Sequence, residues 1–196
     1  MSADALRRLG VRAEPDAPTG SRELPWTWSP EEVAAPLVRQ RQAFLLDSAD
    51  PSHPDGRFSL LGCEPWCVLS ARDGGVTVTT DTGSVTLDDP LDGLAQVAAA
   101  VHVRTPPPEP LPFAGGGVGF FSYDLGRHIE QLPDDTVDDL GTEDYRLGYY
   151  DWVLVYDHHA SRWHLAATAR EPGAEGRAGP VKGIAHFPTG HAGYGA

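Results

Sequence analysis

From Ala43 onward the apolar residues fall in short runs that read as strands. Ala43 to Leu46 and Phe58 to Leu61 are short and apolar, while Trp66 to Leu69 and Val76 to Thr80 alternate or carry β-branched residues. Asp81-Thr82-Gly83 is a tight-turn signal leading into Ser84 to Leu87, so this stretch reads as a hairpin. Gly115 to Tyr123 is a glycine-rich apolar strand. Arg146 to Asp157 and Arg162 to Ala169 predict a last hairpin, turning around His158-His159-Ala160-Ser161. Two helices interrupt this pattern. Ser29-Pro30-Glu31-Glu32 carries a start signal, because Ser29 can cap, Pro30 suits the first helical position and Glu32 completes a capping box. Asp88-Asp89-Pro90 opens the second, with Leu91, Leu94, Val97, Ala98 and Val101 at helical spacing. Strands outnumber helices and follow one another closely enough for hairpins. The pattern therefore predicts an α+β fold, a largely antiparallel β-sheet scaffold with a few flanking helices.

Outside these elements the chain loses periodicity. Residues 1–24, with Pro15 and Pro18, read as an irregular N-terminal arm, and residues 171–196 as a low-complexity tail of glycine, proline, alanine and histidine. Residues 25–170 remain for a single domain. The stiff run Thr105-Pro106-Pro107-Pro108-Glu109-Pro110 stops the second helix and is expected to join two elements of that domain, since neither side has enough core alone.

Composition narrows the function classes. Lysine plus arginine number 15 against 28 aspartate plus glutamate, a formal net charge of −13. Such a surface repels phosphate backbones and the chain has no basic stripe, which argues against nucleic-acid binding. No apolar run approaches the roughly 18 residues that span a bilayer, and no secretory signal opens the chain. A cytoplasmic protein that does not engage membranes is the expectation. Cys63 and Cys67 are too few for a disulfide framework and are expected to be reduced thiols.

Candidate chemistry is sparse. Gly115-Gly116-Gly117-Val118-Gly119 is followed by neither Lys-Ser nor Lys-Thr, and Ser122 stands where a dinucleotide fingerprint needs its third glycine. Strand glycines more often mark close backbone approach. His158, His159 and His164 cluster near one turn without a complementary ligand set, so they read as solvated turn residues and no metal site is expected. Ser122 lies in no nucleophile elbow. The acidic run from Asp134-Asp135 to Asp138-Asp139 lacks the spacing of a calcium loop. The residues alone present no catalytic site.

Three segments, in order, carry a resemblance. They are Phe44-Leu45-Leu46-Asp47-Ser48 with Arg57-Phe58-Ser59-Leu60-Leu61-Gly62-Cys63-Glu64-Pro65; Pro112 to Arg127, followed by Glu130 and Leu132-Pro133; and Tyr150-Asp151-Trp152-Val153-Leu154-Val155-Tyr156-Asp157-His158. Together they resemble the N-terminal domain of component I of the aminodeoxychorismate synthase and anthranilate synthase family. The middle segment is the most specific of the three. The resemblance implies a chorismate-utilising enzyme fed with ammonia by a glutamine amidotransferase subunit, with chorismate and magnesium bound in a C-terminal domain. That chorismate-binding domain is expected to be absent from these 196 residues. No catalytic residue and no cofactor is therefore expected in the chain itself.

What the resemblance does imply here is one edge of a tryptophan effector pocket, at Leu46, Asp47, Ser48 and Arg57. Ser48 would hydrogen-bond the ligand and Asp47 would face its ammonium group. Asp47 stands where tryptophan-regulated members usually carry glutamate, and Arg57 aligns with a family lysine only across a one-residue gap. The alternative is that Ser48 simply ends a strand. Gly115, Gly116 and Gly119 are assigned to the scaffold strand, with Tyr123, Asp124, Arg127 and Glu130 bracing the turn beyond it. There Asp124 is expected to cap a short helix containing Ile129 and Leu132, and Arg127 to pair with Glu130. Tyr123-Asp-Leu-Gly-Arg127 and Tyr150-Asp-Trp-Val-Leu154 resemble the aminodeoxychorismate branch, hence 4-aminobenzoate and folate precursor supply. The alternatives are an anthranilate synthase fragment serving tryptophan synthesis, or a standalone module that binds an aromatic amino acid or docks an amidotransferase.

Overall fold

The strand pattern resolves into two antiparallel five-stranded sheets, as expected for a largely β scaffold. The computed structural model describes residues 2–48, 50, 52–53, 55–132 and 140–169. The expected tail over 171–196 and the acidic run Asp134 to Asp139 lie outside them. In chain order the elements are α1 (Ser2–Arg8), β1 (Thr19–Leu24), α2 (Pro30–Leu37), β2 (Phe44–Leu46), β3 (Phe58–Gly62), β4 (Cys67–Arg72), β5 (Gly75–Thr80) and β6 (Gly83–Leu87). There follow α3 (Pro90–Ala100), β7 (Gly116–Phe121), a 3-10 helix (Tyr123–His128), β8 (Tyr145–Tyr150), β9 (Trp152–Asp157) and β10 (Arg162–Thr168). The chain divides into two compact units that interleave along the sequence.

The first unit takes residues 1–17, 65–106 and 115–151. Its sheet has the order β6-β5-β4-β8-β7. The β4–β5 turn is Asp73-Gly74, both with positive φ (53° and 81°), the conformation that matches the twist of a two-residue hairpin. The core of this unit gathers Leu69, Ala71, Val76, Val78 and Tyr145 from the sheet with Val97 from α3 and Leu6 from α1. Tyr145 is fully buried, and its hydroxyl donates to the carbonyl of Pro90 at 2.7 Å, which settles the one polar atom that burial would otherwise leave unpaired. Asp89 caps α3 by accepting from the Asp92 N–H at 2.7 Å.

The second unit takes 18–64, 107–114 and 152–196, and its sheet runs β1-β10-β9-β3-β2. Side chains alternate faces along a strand, and both faces of this sheet are covered. Trp152 and Leu154 of β9, Leu61 of β3 and Trp163 and Leu165 of β10 share one core with Val33 and Leu37 of α2. Val153, Val155 and Ala166 point the other way, into a second core with Leu111 and Ala114. That is why β9 reads as an unbroken apolar run rather than an alternating one. The predicted capping box of α2 is formed: the Ser29 side chain accepts from the Glu32 N–H while Glu32 accepts from the Ser29 N–H at 2.7 Å.

Two expectations need correction. Residues 1–24 are not irregular, since they hold α1 and β1. β1 has only Leu24 buried and no alternation to read; it becomes a strand by pairing with β10 from Thr19↔Thr168 to Leu24↔Trp163. The predicted strand Arg146 to Asp157 is two strands. Asp151 separates β8, which pairs with β4 and β7, from β9, which pairs with β10 and β3.

The turn after β9 is tied down by a buried carboxylate. Asp157, 2% exposed, takes a bidentate grip from Arg57: Nη2 donates to Oδ2 at 2.7 Å, and Nε lies 3.2–3.3 Å from both oxygens. The N–H groups of His159 and Ala160 also donate to Oδ1. Burial pushes the Asp157 carboxyl up, but the Arg57 hydrogen bonds and those two amides outweigh it and hold the group below its ordinary 3.8. The same partnership raises the Arg57 guanidinium.

Two predictions follow from this packing. A Cβ at Gly119 would stand 1.9 Å from the carbonyl oxygen of Arg146, backbone against backbone, whereas one at Gly20 meets nothing within 4 Å. Gly119→Ala should therefore cost about 2–3 kcal/mol in urea unfolding, and Gly20→Ala should be neutral or slightly stabilising. Asp157→Ala should cost about 1–3 kcal/mol at neutral pH, because Arg57 and two amides lose their acceptor. A carboxyl held low in the fold stabilises above its unfolded value and loses that contribution as pH falls through the folded value. Melting curves should therefore show the gap between wild type and Asp157→Ala full at pH 7 and shrinking below about pH 4.

Candidate functional site

The register of the second sheet decides where the candidate residues meet. β2 pairs with β3 as Phe44↔Gly62, Leu45↔Leu61 and Leu46↔Leu60, and β3 pairs with β9 with Ser59 opposite Tyr156. Beyond Leu46 the same spacing carries Asp47 opposite Ser59. His158, two residues past Tyr156, falls on the side of the sheet that Tyr156 occupies. Asp47, Ser59 and His158 thus converge at one end of β2, β3 and β9, though Ser59 and His158 lie 99 positions apart in the chain.

Ser59 is the hub. It is completely buried, and its hydroxyl lies 2.7 Å from Asp47 Oδ1, 2.7 Å from His158 Nε2 and 3.0 Å from the Ser48 amide nitrogen. A hydroxyl has one proton and two lone pairs. The carboxylate can only accept and the amide can only donate, so the Ser59 proton goes to Asp47 and one lone pair takes the Ser48 N–H. His158 must then donate through Nε2–H, which fixes its tautomer. The serine is saturated and fully buried, its one proton is engaged by Asp47 and the His158 nitrogen facing it donates rather than accepts, so this Asp-Ser-His group is an anchor and not a nucleophilic triad.

Around the hub the predicted effector residues separate into two groups. Leu46, 50% exposed, and Asp47 face solvent at the end of β2. Ser48 is half-buried and its hydroxyl donates to the Phe58 carbonyl at 2.7 Å, so toward a ligand it retains acceptor capacity only. Arg57 stands nearby but is held by Asp157, with its guanidinium 4.7 Å from the centre of the Phe58 ring. Sequence reasoning missed Ser59 and His158. His158 is not a solvated turn residue: it is half-buried, its ring meets Tyr156 edge-on at 4.8 Å, and its N–H donates to the Arg57 carbonyl at 2.9 Å. An aromatic chain continues from Tyr156 to Trp163 at 5.0 Å and on to Trp26 at 6.0 Å. Trp163 Nε1 donates to the Trp28 carbonyl at 2.8 Å.

The glycine-rich strand is β7, an edge strand of the first unit. Gly115 (φ 140°) precedes it and Gly116 (φ 144°) starts it, and a Cβ on Gly115 would meet the Tyr150 carbonyl oxygen at 2.8 Å, so close approach explains that glycine. Beyond it the expected roles shift. The turn is a 3-10 helix from Tyr123 to His128, with Ser122 rather than Asp124 at the cap position and without a side-chain cap bond. The helix starts two residues earlier than the capping expectation, which puts Asp124 inside the first turn. There it accepts from Arg127 Nε at 2.9 Å, an i, i+3 pair. Ile129 follows the helix as its cap and Leu132 lies outside it. Tyr123 is 88% exposed, and Glu130 is exposed with its N–H on the Gly126 carbonyl.

Other chemistry is limited. Both cysteines are buried and outside any disulfide, and burial, reinforced by Glu64, pushes the Cys63 thiol up to about 11, away from nucleophile behaviour. Burial likewise raises the Tyr149 phenol. Among the described residues no group of three or more histidine, cysteine or acidic side chains is placed to hold a metal, and no helix is long and apolar enough to cross a membrane.

Known proteins place this architecture. A family model described as chorismate binding enzyme matches residues 41–180. Aminodeoxychorismate synthase component 1 of Salmonella typhimurium is 42% identical over 137 residues, covering 69% of this chain and 30% of the relative. Anthranilate synthase component 1 of Thermus thermophilus is 36% identical over 130 residues, 66% of this chain and 27% of the relative. The crystal structure of anthranilate synthase component I from Streptococcus pneumoniae matches with a TM-score of 0.44 at 27% identity, over 76% of this chain and 31% of that one. The chain thus spans about a third or less of the relatives named here. With the family model covering well over half of it, the chain belongs to the chorismate-binding enzymes, the family of aminodeoxychorismate synthase and anthranilate synthase component 1.

Proposed function

We propose that this chain is the N-terminal, non-catalytic part of an aminodeoxychorismate synthase component 1-like protein, contributing scaffold, a partner surface and one wall of an amino-acid effector pocket. The observation that carries this reading is the 42% identity along 137 residues to aminodeoxychorismate synthase component 1, against 36% for the anthranilate synthase of Thermus thermophilus. On this reading the pathway is supply of 4-aminobenzoate for folate, in the cytoplasm. Chorismate and magnesium bind with the help of residues outside this chain, and ammonia arrives from a glutamine amidotransferase partner. The partner surface is supported by β7, an edge strand that exposes Phe120 (43%) and Phe121 (54%), with Tyr123 just beyond it.

The effector wall is supported by the end of β2. Asp47 Oδ1 is bound by Ser59, while Oδ2 has no hydrogen bond among the described residues and can receive an ammonium group. Leu46 offers apolar surface beside it. Ser48 can accept but not donate, so it too suits an ammonium rather than a carboxylate.

Calorimetry with L-tryptophan should give measurable binding at millimolar ligand or better, weakened about tenfold by Asp47→Asn. Absence of heat at millimolar tryptophan removes the effector role. With chorismate, ammonia and magnesium supplied, this chain alone should form no aminodeoxychorismate or anthranilate. Product formation would overturn the non-catalytic assignment.

A further inference from the structure

The effector reading assigns Asp47 to a ligand but leaves unexplained why an exposed aspartate at the end of a three-residue edge strand should hold one orientation. Left alone it would sample its rotamers, and the ordering cost would be charged against ligand affinity. The geometry points to Ser59 and His158 as positioning residues that preset the Asp47 carboxylate for an ammonium-bearing ligand; this rests on the effector reading and extends it to two residues that touch no ligand.

The hydroxyl of Ser59 is the joint. Its single proton is committed to Asp47 Oδ1, which turns Oδ2 into the oxygen left for a ligand. Its two lone pairs are filled by the Ser48 N–H and by His158 Nε2–H, so the hydroxyl cannot rotate away without losing a bond in a fully buried site. His158 is the element that locks that rotor. Its ring is set edge-on against Tyr156, its N–H is bound to the Arg57 carbonyl, and the preceding Asp157 is gripped by Arg57. Among the described residues, Asp47 bears on the ring through Ser59, and Glu31 from the first turn of α2 acts on it by charge. Position thus passes from the Arg57–Asp157 pair to His158, from His158 to Ser59, and from Ser59 to the carboxylate.

The same hub fixes Ser48 by its backbone, while the Ser48 hydroxyl is bound to the Phe58 carbonyl. Both groups offered to the ligand by Asp47 and Ser48 are therefore acceptors held by the one serine. The ligand class this suits is a primary amine on an apolar body, with selectivity residing in the ammonium group.

Paired ligands separate positioning from general support of the fold. L-tryptophan carries the ammonium, and indole-3-propionate presents the same ring and carboxylate without it. Calorimetry on the full chain should show Ser59→Ala and His158→Ala weakening tryptophan about tenfold while changing indole-3-propionate less than about twofold. His158→Gln, whose amide can donate from near the Nε2 position, should restore most of the loss. Equal losses for both ligands, or an unchanged tryptophan affinity, would overturn the positioning role. If Ser59→Ala does not fold, the His158 pair decides the question alone. Nitrogen-15 spectra of the His158 ring add a readout independent of binding, and should show the Nε2–H tautomer when the ring is neutral. Wild-type protein that binds neither ligand but keeps that tautomer sinks the effector reading and the positioning role with it. Ligand binding together with an Nδ1–H tautomer overturns the hub and leaves the effector reading standing.

Discussion

A strand buried on both faces must be apolar at every position, and β9 meets that demand from Trp152 to Val155 before ending in polar residues. The second unit depends on this strand. One of its faces supports α2 and the tryptophans, the other the short segment through Leu111 and Ala114, and its edges carry β10 and β3. Where β9 ends, polar groups can remain buried only if each is paired. Asp157 is satisfied by Arg57 and two amides, and Ser59 opposite Tyr156 by Asp47, Ser48 and His158. The candidate site is therefore the place where the central strand's apolar requirement stops and a fully satisfied polar network takes over.

That network explains how a mostly exposed locus can be well defined. Leu46 and Asp47 sit on a short edge strand, where local unfolding is ordinarily cheapest. They are tied inward by a serine that has no solvent exposure, and that serine is tied to a turn closed by the ion pair between the half-exposed Arg57 and the buried Asp157. The first unit uses a different device. β7 lies against β8 where Gly119 lets the Arg146 carbonyl come closer than any side chain would allow. There the absence of side chains sets the geometry, and the end of the strand leaves Phe120 and Phe121 partly exposed.

Much of the fold was legible in the residues because it is encoded locally. The Ser29-Pro30-Glu31-Glu32 start, the Asp89-Pro90 start and the β5–β6 hairpin depend on neighbours in sequence, and all three form as read. What was not legible depends on distant partners. Thr19 to Leu24 carries no alternation and is a strand only because β10 pairs with it. The run from Tyr145 to Asp157 is mostly apolar, and a single aspartate at 151 does not by itself mark the point where it leaves one sheet for another. At the site, Leu46, Asp47 and Ser48 were visible as a motif, while Ser59 looked like an ordinary strand residue and His158 like a solvated turn. Their partnership spans 99 positions, and Arg57 and Asp157 are 100 apart. Register alone brings them together.

The central claim is that the end of β2, β3 and β9 presents a preset carboxylate to an amine. A crystal structure of the chain grown with L-tryptophan tests it most directly. The account predicts the ligand ammonium within hydrogen-bonding distance of Asp47 Oδ2, with the Ser59 hydroxyl still bridging Asp47 and His158. Tryptophan bound elsewhere, or an Asp47 carboxylate released from Ser59 to reach the ligand, would contradict it.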